Sequence, residues 1–530
     1  MQIKRIYIDK NLCLENFDIR FATKNGGSST ILIGPNGSGK STMLKSLLSI
    51  MMSFDSMVVA KNLNFNYEME YVYAEKEIYI KKNGFNYDIS IDEKKYQGTI
   101  ETINAYFADK IRIFPQRIIA FYSGNNNSFY DEIRKQNFQY KRKCREYFDN
   151  YKEAVKDEHG KLIDKTSIPK RKYIYCDESF VPIYLCSILA GHDSYEKELV
   201  QKECQLLRLN NIDITINIKG RNLIDQRKYL ENRRAIREEK RAELFSLIEY
   251  IDYRFIELFK RGELPPKNGK MLFSLSGIDM LGLDSISILE FFEKLSIFFT
   301  VEYRVYSENN YGLIKDINLS EGQRQLIKIL GMLGVCKNED CLVLLDEPDA
   351  HMNPQWKYDI KGIIDKILKP SVNTQTIIVT HDPLVINGVR KSFIRIFKRD
   401  QETSYRTEVI EPDVNTKGMG IDGLLQSQYY GLSSVLDLKT KEKMEKKHDL
   451  LVKRKEKGLT GKQEEELKKI TEELEDMTFS RSLPTDPYYE EFVAAMHKIY
   501  RKTIKNALTK KEIVARDAKA EEILQRVLTK

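Results

Sequence analysis

Apolar and polar positions along the chain alternate with a period of about two residues in some stretches and about 3.6 in others, and their order predicts a mixed α/β protein. Apolar strands are expected at Ile3 to Ile8 and at Ile31 to Ile33. Between 65 and 92 the alternation is strict, as in Tyr67-Glu-Met-Glu-Tyr-Val-Tyr73 and Lys76-Glu-Ile-Tyr-Ile80, which predicts an antiparallel edge sheet. Arg117 to Tyr122 is a buried strand entering a polar loop, Ser123-Gly-Asn-Asn126. From about 131 to 300 the pattern turns mainly helical, with one long candidate from Asp225 to Lys260. Cys341-Leu-Val-Leu-Leu345 and Thr374 to Thr380 are buried strands, and Phe393 to Phe397 and Thr407 to Ile410 are two further short ones. Residues 437–477 form an amphipathic hairpin, with Leu436, Leu438, Met444 and Leu451 on one helix and Leu467, Ile470, Leu474 and Met477 on the other. Thr460 and Gln463 supply a capping box at the turn.

Chemistry concentrates where strands end or helices start. The strand Ile31 to Ile33 runs into Gly34-Pro-Asn-Gly-Ser-Gly-Lys-Ser-Thr42, a Walker A loop. Glycines Gly34, Gly37 and Gly39, with Pro35, Asn36 and Ser38, turn backbone N–H groups toward a triphosphate; Lys40 reaches the β- and γ-phosphates, Ser41 ligates Mg²⁺ and Thr42 opens the helix. Leu319-Ser-Glu-Gly-Gln323 starts a second helix, with Ser320 as N-cap and Gln323 completing a capping box, so that Ser320, Gly322 and Gln323 line an anion site. Asp346 and Glu347 end the strand from Cys341 in the form of a Walker B motif, Asp346 holding Mg²⁺ and Glu347 polarising the attacking water. His381 ends the next strand, where a switch residue facing the γ-phosphate belongs, and Asp349-Ala-His351 occupies the place of a dimer-contacting loop. No glutamine stands in the loop after Tyr122, so Ser123 or Asn125 takes the place of the usual Q-loop side chain.

Length allows two or three domains: 530 residues, 42% hydrophobic, can bury a large core. The expected division is a split head over 1–130 and 301–412, a helical insertion over 131–300, and a C-terminal helical region over 413–530. About 280 residues between Ser41 and Ser320 demand such an insertion. No apolar run approaches the ~20 residues needed to cross a bilayer and no leader pattern precedes the first strand, so a cytoplasmic protein without membrane contact is expected. Seven scattered cysteines contain no C-x-x-C pair and read as reduced core residues. The six histidines are dispersed, without the metal cluster of an HNH nuclease. Of the formal +8, ten Lys/Arg against four Asp/Glu from Lys498 to Lys530 account for +6, a basic tail suited to a partner or to nucleic acid. The Asp225–Lys260 stretch is basic in its first half, with interleaved glutamates that also suit a self-paired solvated face.

The four motifs, in this order, resemble the SMC/RecF-like ABC ATPases of the AAA family. Leu345-Asp-Glu-Pro-Asp-Ala-His-Met-Asn-Pro354 is similar to the string found in the branch serving bacterial anti-phage defence, and Phe121-Tyr-Ser-Gly124, Thr380-His-Asp-Pro-Leu384 and Tyr430-Gly-Leu-Ser433 are similar to the PtuA ATPases of Septu and retron-associated systems. The resemblance implies a P-loop ATPase head that binds ATP and Mg²⁺ and dimerises head to tail, each signature box closing its partner's nucleotide. It also implies that the chain regulates a separate HNH-type nuclease and does not cut nucleic acid itself. A RecF-like repair ATPase that binds DNA is the alternative, and DNA or RNA contact is open in either case.

Overall fold

The computed structural model describes chiefly residues 1–22, 28–107, 112–124, 172–217, 266–276, 299–307, 313–315, 319–368, 374–399, 406–432 and 436–475, apart from isolated positions within them. It divides into two compact units, one of Met1–Leu32, Gly39–Val385 and Arg399–Glu408, the other of Ile33–Ser38, Ile386–Lys398 and Val409–Lys530.

The first unit carries an antiparallel sheet built from β1 (Gln2–Asn11), β2 (Leu14–Arg20), β4 (Tyr67–Tyr73), β5 (Lys76–Asn83), β6 (Asn86–Ile91) and β7 (Lys94–Thr99), in the order β2-β1-β4-β5-β6-β7. Its alternation is the one the sequence shows: Tyr67, Met69, Tyr71 and Tyr73 are buried, while Glu68, Glu70 and Val72 between them are only half-buried. The chemistry-bearing sheet is parallel. β3 (Ser28–Ile33), β16 (Gln375–Val379), β15 (Cys341–Asp346), β8 (Arg117–Tyr122) and β9 (Tyr173–Tyr175) pair in that order, and β15 is buried at every position, as a central parallel strand must be. One side chain joins the two sheets: the Gln375 amide accepts from the Ile3 N–H (2.7 Å) and donates to the Ile3 carbonyl (3.2 Å).

Helix α1 (Lys40–Ser53) continues from the phosphate loop and buries Met43, Leu44, Leu47, Leu48, Met51 and Met52. Two short helices, α2 (Met57–Asn62) and α3 (Ile100–Phe107), flank the antiparallel sheet. Helix α4 (Phe180–Ala190) is buried along its whole length, α5 (Tyr195–Cys204) comes next, and α6 (Glu321–Cys336) and α7 (Pro354–Leu368) carry the motif-bearing part of the chain. A third sheet, all antiparallel, occupies part of the stretch that reads as helical: β10 (Leu206–Asn217), β11 (Pro266–Lys267), β12 (Lys270–Ser276), β13 (Phe299–Ser307) and β14 (Leu313–Lys315), ordered β11-β12-β10-β13-β14. The stretch 131–300, expected to be helical, therefore carries β10, β11, β12 and the start of β13 as well. Residues 225–260, expected as one long helix, lie outside the described residues, as does most of the tail from Lys498.

Further along the chain, a short helix α8 (Pro383–Ile386) leads into β17 (Ile394–Arg399), and β18 (Thr407–Ile410) precedes α9 (Gly420–Gln426) of the second unit. The expected hairpin is present as α10 (Leu438–Lys457) and α11 (Gly461–Glu475), with a core of Leu450, Leu467, Ile470 and Leu474. Two details differ from expectation. Leu438, the first residue of α10, is 71% exposed. The turn also completes half a capping box: the Thr460 N–H donates to Gln463 Oε1 (3.2 Å), whereas the Gln463 N–H goes to the Thr460 carbonyl (2.8 Å).

Candidate active site

Parallel β15, β8 and β16 end side by side, so the residues that leave their C-terminal ends share one edge of the sheet: Asp346 is in register with Tyr122 and Val379. Asp346 is the last residue of β15 and is almost wholly buried. It accepts a hydrogen bond from the Ser41 hydroxyl, at the start of α1. Its other oxygen, Oδ2, is buried without a partner among the described residues. Burial pushes its carboxyl up to about 6, against the Ser41 hydrogen bond and the nearby Lys40. Lys40 is also buried, and burial pushes its ammonium down to about 8, with Asp346 and Glu347 opposing the fall. These are groups whose charges become comfortable only when something ionic joins them. An under-used carboxylate beside a hydroxyl is a hard oxygen pair that suits Mg²⁺ when phosphate oxygens complete the shell. Among the described residues no group of three or more His, Cys, Asp or Glu could hold a metal ion by itself.

Glu347 occupies the left-handed region (φ 53°), which is costly for a side chain of its size, and its N–H is pinned to the Val379 carbonyl at 2.8 Å. That turn throws its carboxylate toward His381, whose Nε2 lies 3.6 Å from Oε1. Both side chains are partly exposed. Behind them stands a network that motif spacing did not reveal. The Thr380 hydroxyl donates to buried Asp349 and accepts from the Asp382 N–H (3.0 Å), and Asp382 pairs with Lys357 of α7 (2.8 Å). Asp349 Oδ1 has no partner among the described residues, and burial pushes this carboxyl up to about 6. The Ser123 N–H donates to the Asp346 carbonyl (3.3 Å) and its hydroxyl is buried without a partner there; Asn125 lies outside the described residues.

The capping box expected at the start of the signature stretch Leu319–Gln323 is present. Ser320 caps α6: its Oγ accepts from the Gln323 N–H (3.3 Å), and Gln323 Oε1 accepts from the Ser320 N–H (2.9 Å). Gly322 lies against the His351 carbonyl, and His351 Nε2 faces Glu321 Oε1 at 3.3 Å. Loop residues Gly34, Pro35, Asn36, Gly37 and Ser38 belong to the second unit. There Gly34 takes φ 149°, and a Cβ on it would fall 2.3 Å from the Phe397 carbonyl oxygen, so no other residue fits. Lys40, Ser41, Asp346, Glu347 and His381 all belong to the first unit, while Ser320 caps α6, whose first turn contacts Cys204 through Gln323, His351 through Glu321 and Trp356 beside Gly322.

Residues 208–387 match the family described as "AAA domain, putative AbiEii toxin, Type IV TA system", a stretch that holds the signature box, Asp346, Glu347 and His381. Over that stretch the chain is similar to an AAA domain. It is similar to the Septu protein PtuA of Bacillus mycoides (strain KBAB4), 29% identical over 132 residues, and to the Retron Vc95 probable ATPase of Vibrio cholerae serotype O1 biovar El Tor, 29% identical over 152 residues. The first match covers 23% of this chain and 18% of the relative, the second 27% and 28%. The chain therefore spans less than a third of the length of these relatives. Among solved structures it is similar to an SMC head bound to the C-terminal winged-helix domain of ScpA (12% identity, TM-score 0.33, covering 77% of this chain and 97% of that one). An SMC head domain from Thermotoga maritima is similar at 13% identity and TM-score 0.32, covering 78% and 100%. Among the described residues no helix is long and apolar enough to cross a membrane.

Proposed function

We propose that the chain hydrolyses ATP at a site shared by two copies and thereby controls an associated nuclease in defence against phage. The observation that carries the first part is the convergence of Lys40, Ser41, Asp346, Glu347 and His381 at the ends of adjacent elements, with a buried carboxylate oxygen left open beside Ser41. Lys40 binds the β- and γ-phosphates, whose charge offsets the cost of its burial. Ser41 and Asp346 would hold Mg²⁺, which spreads the charge that develops on the transferred phosphoryl oxygens. Glu347 orients the attacking water, with His381 on its far side; the strained turn fixes its carboxylate where a relaxed one would not reach.

The signature box supports the dimer. Its capped helix N-terminus offers an anion site, and in ABC-type heads such a site closes over the nucleotide of the opposite protomer, so Ser320, Gly322 and Gln323 of one copy would complete the site of the other. Resemblance to relatives named for Septu and for a retron supports the defence role, with an HNH-type nuclease as the partner. Equilibrium binding, single-turnover hydrolysis and sedimentation test the whole reading. Lys40→Ala is expected to lose ATP binding. Glu347→Gln is expected to bind ATP and turn it over at least ~100-fold more slowly, the scale on which one positioned catalytic group matters. Ser320→Arg is expected to bind ATP yet stay monomeric. Normal turnover in Glu347→Gln removes that residue from the mechanism, and an ATP-dependent dimer of Ser320→Arg removes the shared site.

A further inference from the structure

The last turn of α5 meets the signature box and the start of α7 through two consecutive residues. The Trp356 indole N–H donates to Glu203 Oε2 at 2.9 Å, and the Gln323 side-chain amide donates to the Cys204 carbonyl at 3.3 Å. Gln323 is the residue that closes the capping box on Ser320, so one side chain holds both the box and the end of α5. Trp356 is the third residue of α7, its N–H capped by Asn353 (2.8 Å), and its ring edge lies 3.6 Å from where a Cβ on Gly322 would stand. Gln205 then turns in the left-handed region (φ 56°), and β10 begins at the next residue, paired from Leu206 with Ser307 of β13. Gln201 ties that corner by donating to the Leu207 carbonyl (2.9 Å). The five-stranded sheet is therefore joined to the signature box by a corner with almost no slack.

We infer that Glu203 is a positioning residue that couples the five-stranded sheet of β10 to β14 to the signature box through Trp356 and Gln323. It fixes the angle at which α5 delivers β10 and at which Gln323 presents Ser320. The contact is charge-assisted, and the indole hydrogen bond, helped by Lys202, holds the Glu203 carboxyl below the usual carboxylate range. Whatever displaces β10 shifts Cys204 and Glu203 with it, and so changes how well a signature box closes a nucleotide. This rests on the ATPase reading and adds the route by which the insertion reports to it.

Trp356 is the chain's single tryptophan, so its emission reports on the corner directly. In the full-length protein, Glu203→Ala is expected to lower kcat for ATP about tenfold, the worth of one hydrogen bond to a charged group, with KM for ATP changed by less than about twofold. The same variant should lose the change in Trp356 emission that ATP produces in the parent protein. Glu203→Gln keeps an acceptor for the indole and should restore both readouts. Trp356→Phe removes only the donor and should match Glu203→Ala in kcat, with no further loss in the double variant. Near-parental kcat in either single variant, or a rise in KM with kcat unchanged, overturns the inference. If Glu203→Ala does not fold, Trp356→Phe and Glu203→Gln decide. The control is Glu347→Gln: normal turnover there would sink the ATPase reading while leaving the emission change as a separate measure of the corner.

Discussion

Asp349 shows what the site costs a single residue. Its carboxyl is buried, one oxygen is satisfied by Thr380 and the other is not, and burial holds the acid up to about 6 against an ordinary 3.8. A carboxyl whose folded value lies above its unfolded one gives stability that is full below pH ~3.8 and is lost as pH rises toward ~6, an amount of about 3 kcal/mol at most. Asp349→Asn cannot ionise. Relative to the parent protein it should therefore gain stability between pH 4 and 7, whatever its offset at low pH, and thermal melts across that range without nucleotide would show it. Parallel curves would mean that Asp349 is neutral, or solvated, throughout. The residue lies three positions past Asp346, and its position in the string is legible in the sequence. That its partner would be Thr380 is not, because the bond depends on β15 and β16 lying side by side.

Among elements, α6 against α4 is the tightest joint. Gly331 stands in the middle of α6, and a Cβ there would fall 2.2 Å from the Cβ of Tyr184 on α4, an atom fixed to its backbone. Gly331→Ala would gain up to about 1 kcal/mol of helix propensity and meet an overpacking cost of about 1–3 kcal/mol or more, so the clash wins. Urea denaturation should show a net loss of about 1–2 kcal/mol, whereas Gly362→Ala on α7, with open space around the new methyl, should be neutral or stabilising. A gain at Gly331 would mean that α4 can step aside. Local signals announce α6 well: its capping box, its apolar stripe and the strand after it are written within about thirty residues. What Gly331 is for cannot be read from them, since Tyr184 is far away in sequence. The same limit applies to β10, β12 and β13, strands far apart in the sequence, whose pairing partners decide their identity more than their own residues do. The buried pair of Arg117 and Glu339, which anchors β8 to the turn before β15, likewise appears in sequence only as two ordinary charges.

At the scale of the whole molecule, the C-terminal hairpin is the part whose purpose is least tied to the site. Its apolar side chains are used between its own helices, Leu450 against Leu467, Ile470 and Leu474, with Met444, Leu451 and Leu459 around them. Ion pairs close its flanks: Lys443 with Glu473 at 2.7 Å, Arg454 with Glu464 at 3.2 Å, and Lys446 with Glu466. Exposed pairs of this kind contribute only a few tenths of a kcal/mol each, so the apolar core does the holding and the charges face outward. A hairpin that satisfies its own core leaves its charged flanks to solvent, where they can meet a partner. Deleting 437–530 is therefore expected to leave ATP hydrolysis within about twofold, because Lys40, Asp346, Glu347 and His381 all precede it, and to abolish co-purification with the effector nuclease. An insoluble or ATPase-dead truncation would show instead that the hairpin serves its own chain's core. Retained co-purification would move the docking surface elsewhere, and Mg²⁺-dependent DNA cleavage by the isolated full-length chain would remove the need for a separate nuclease altogether.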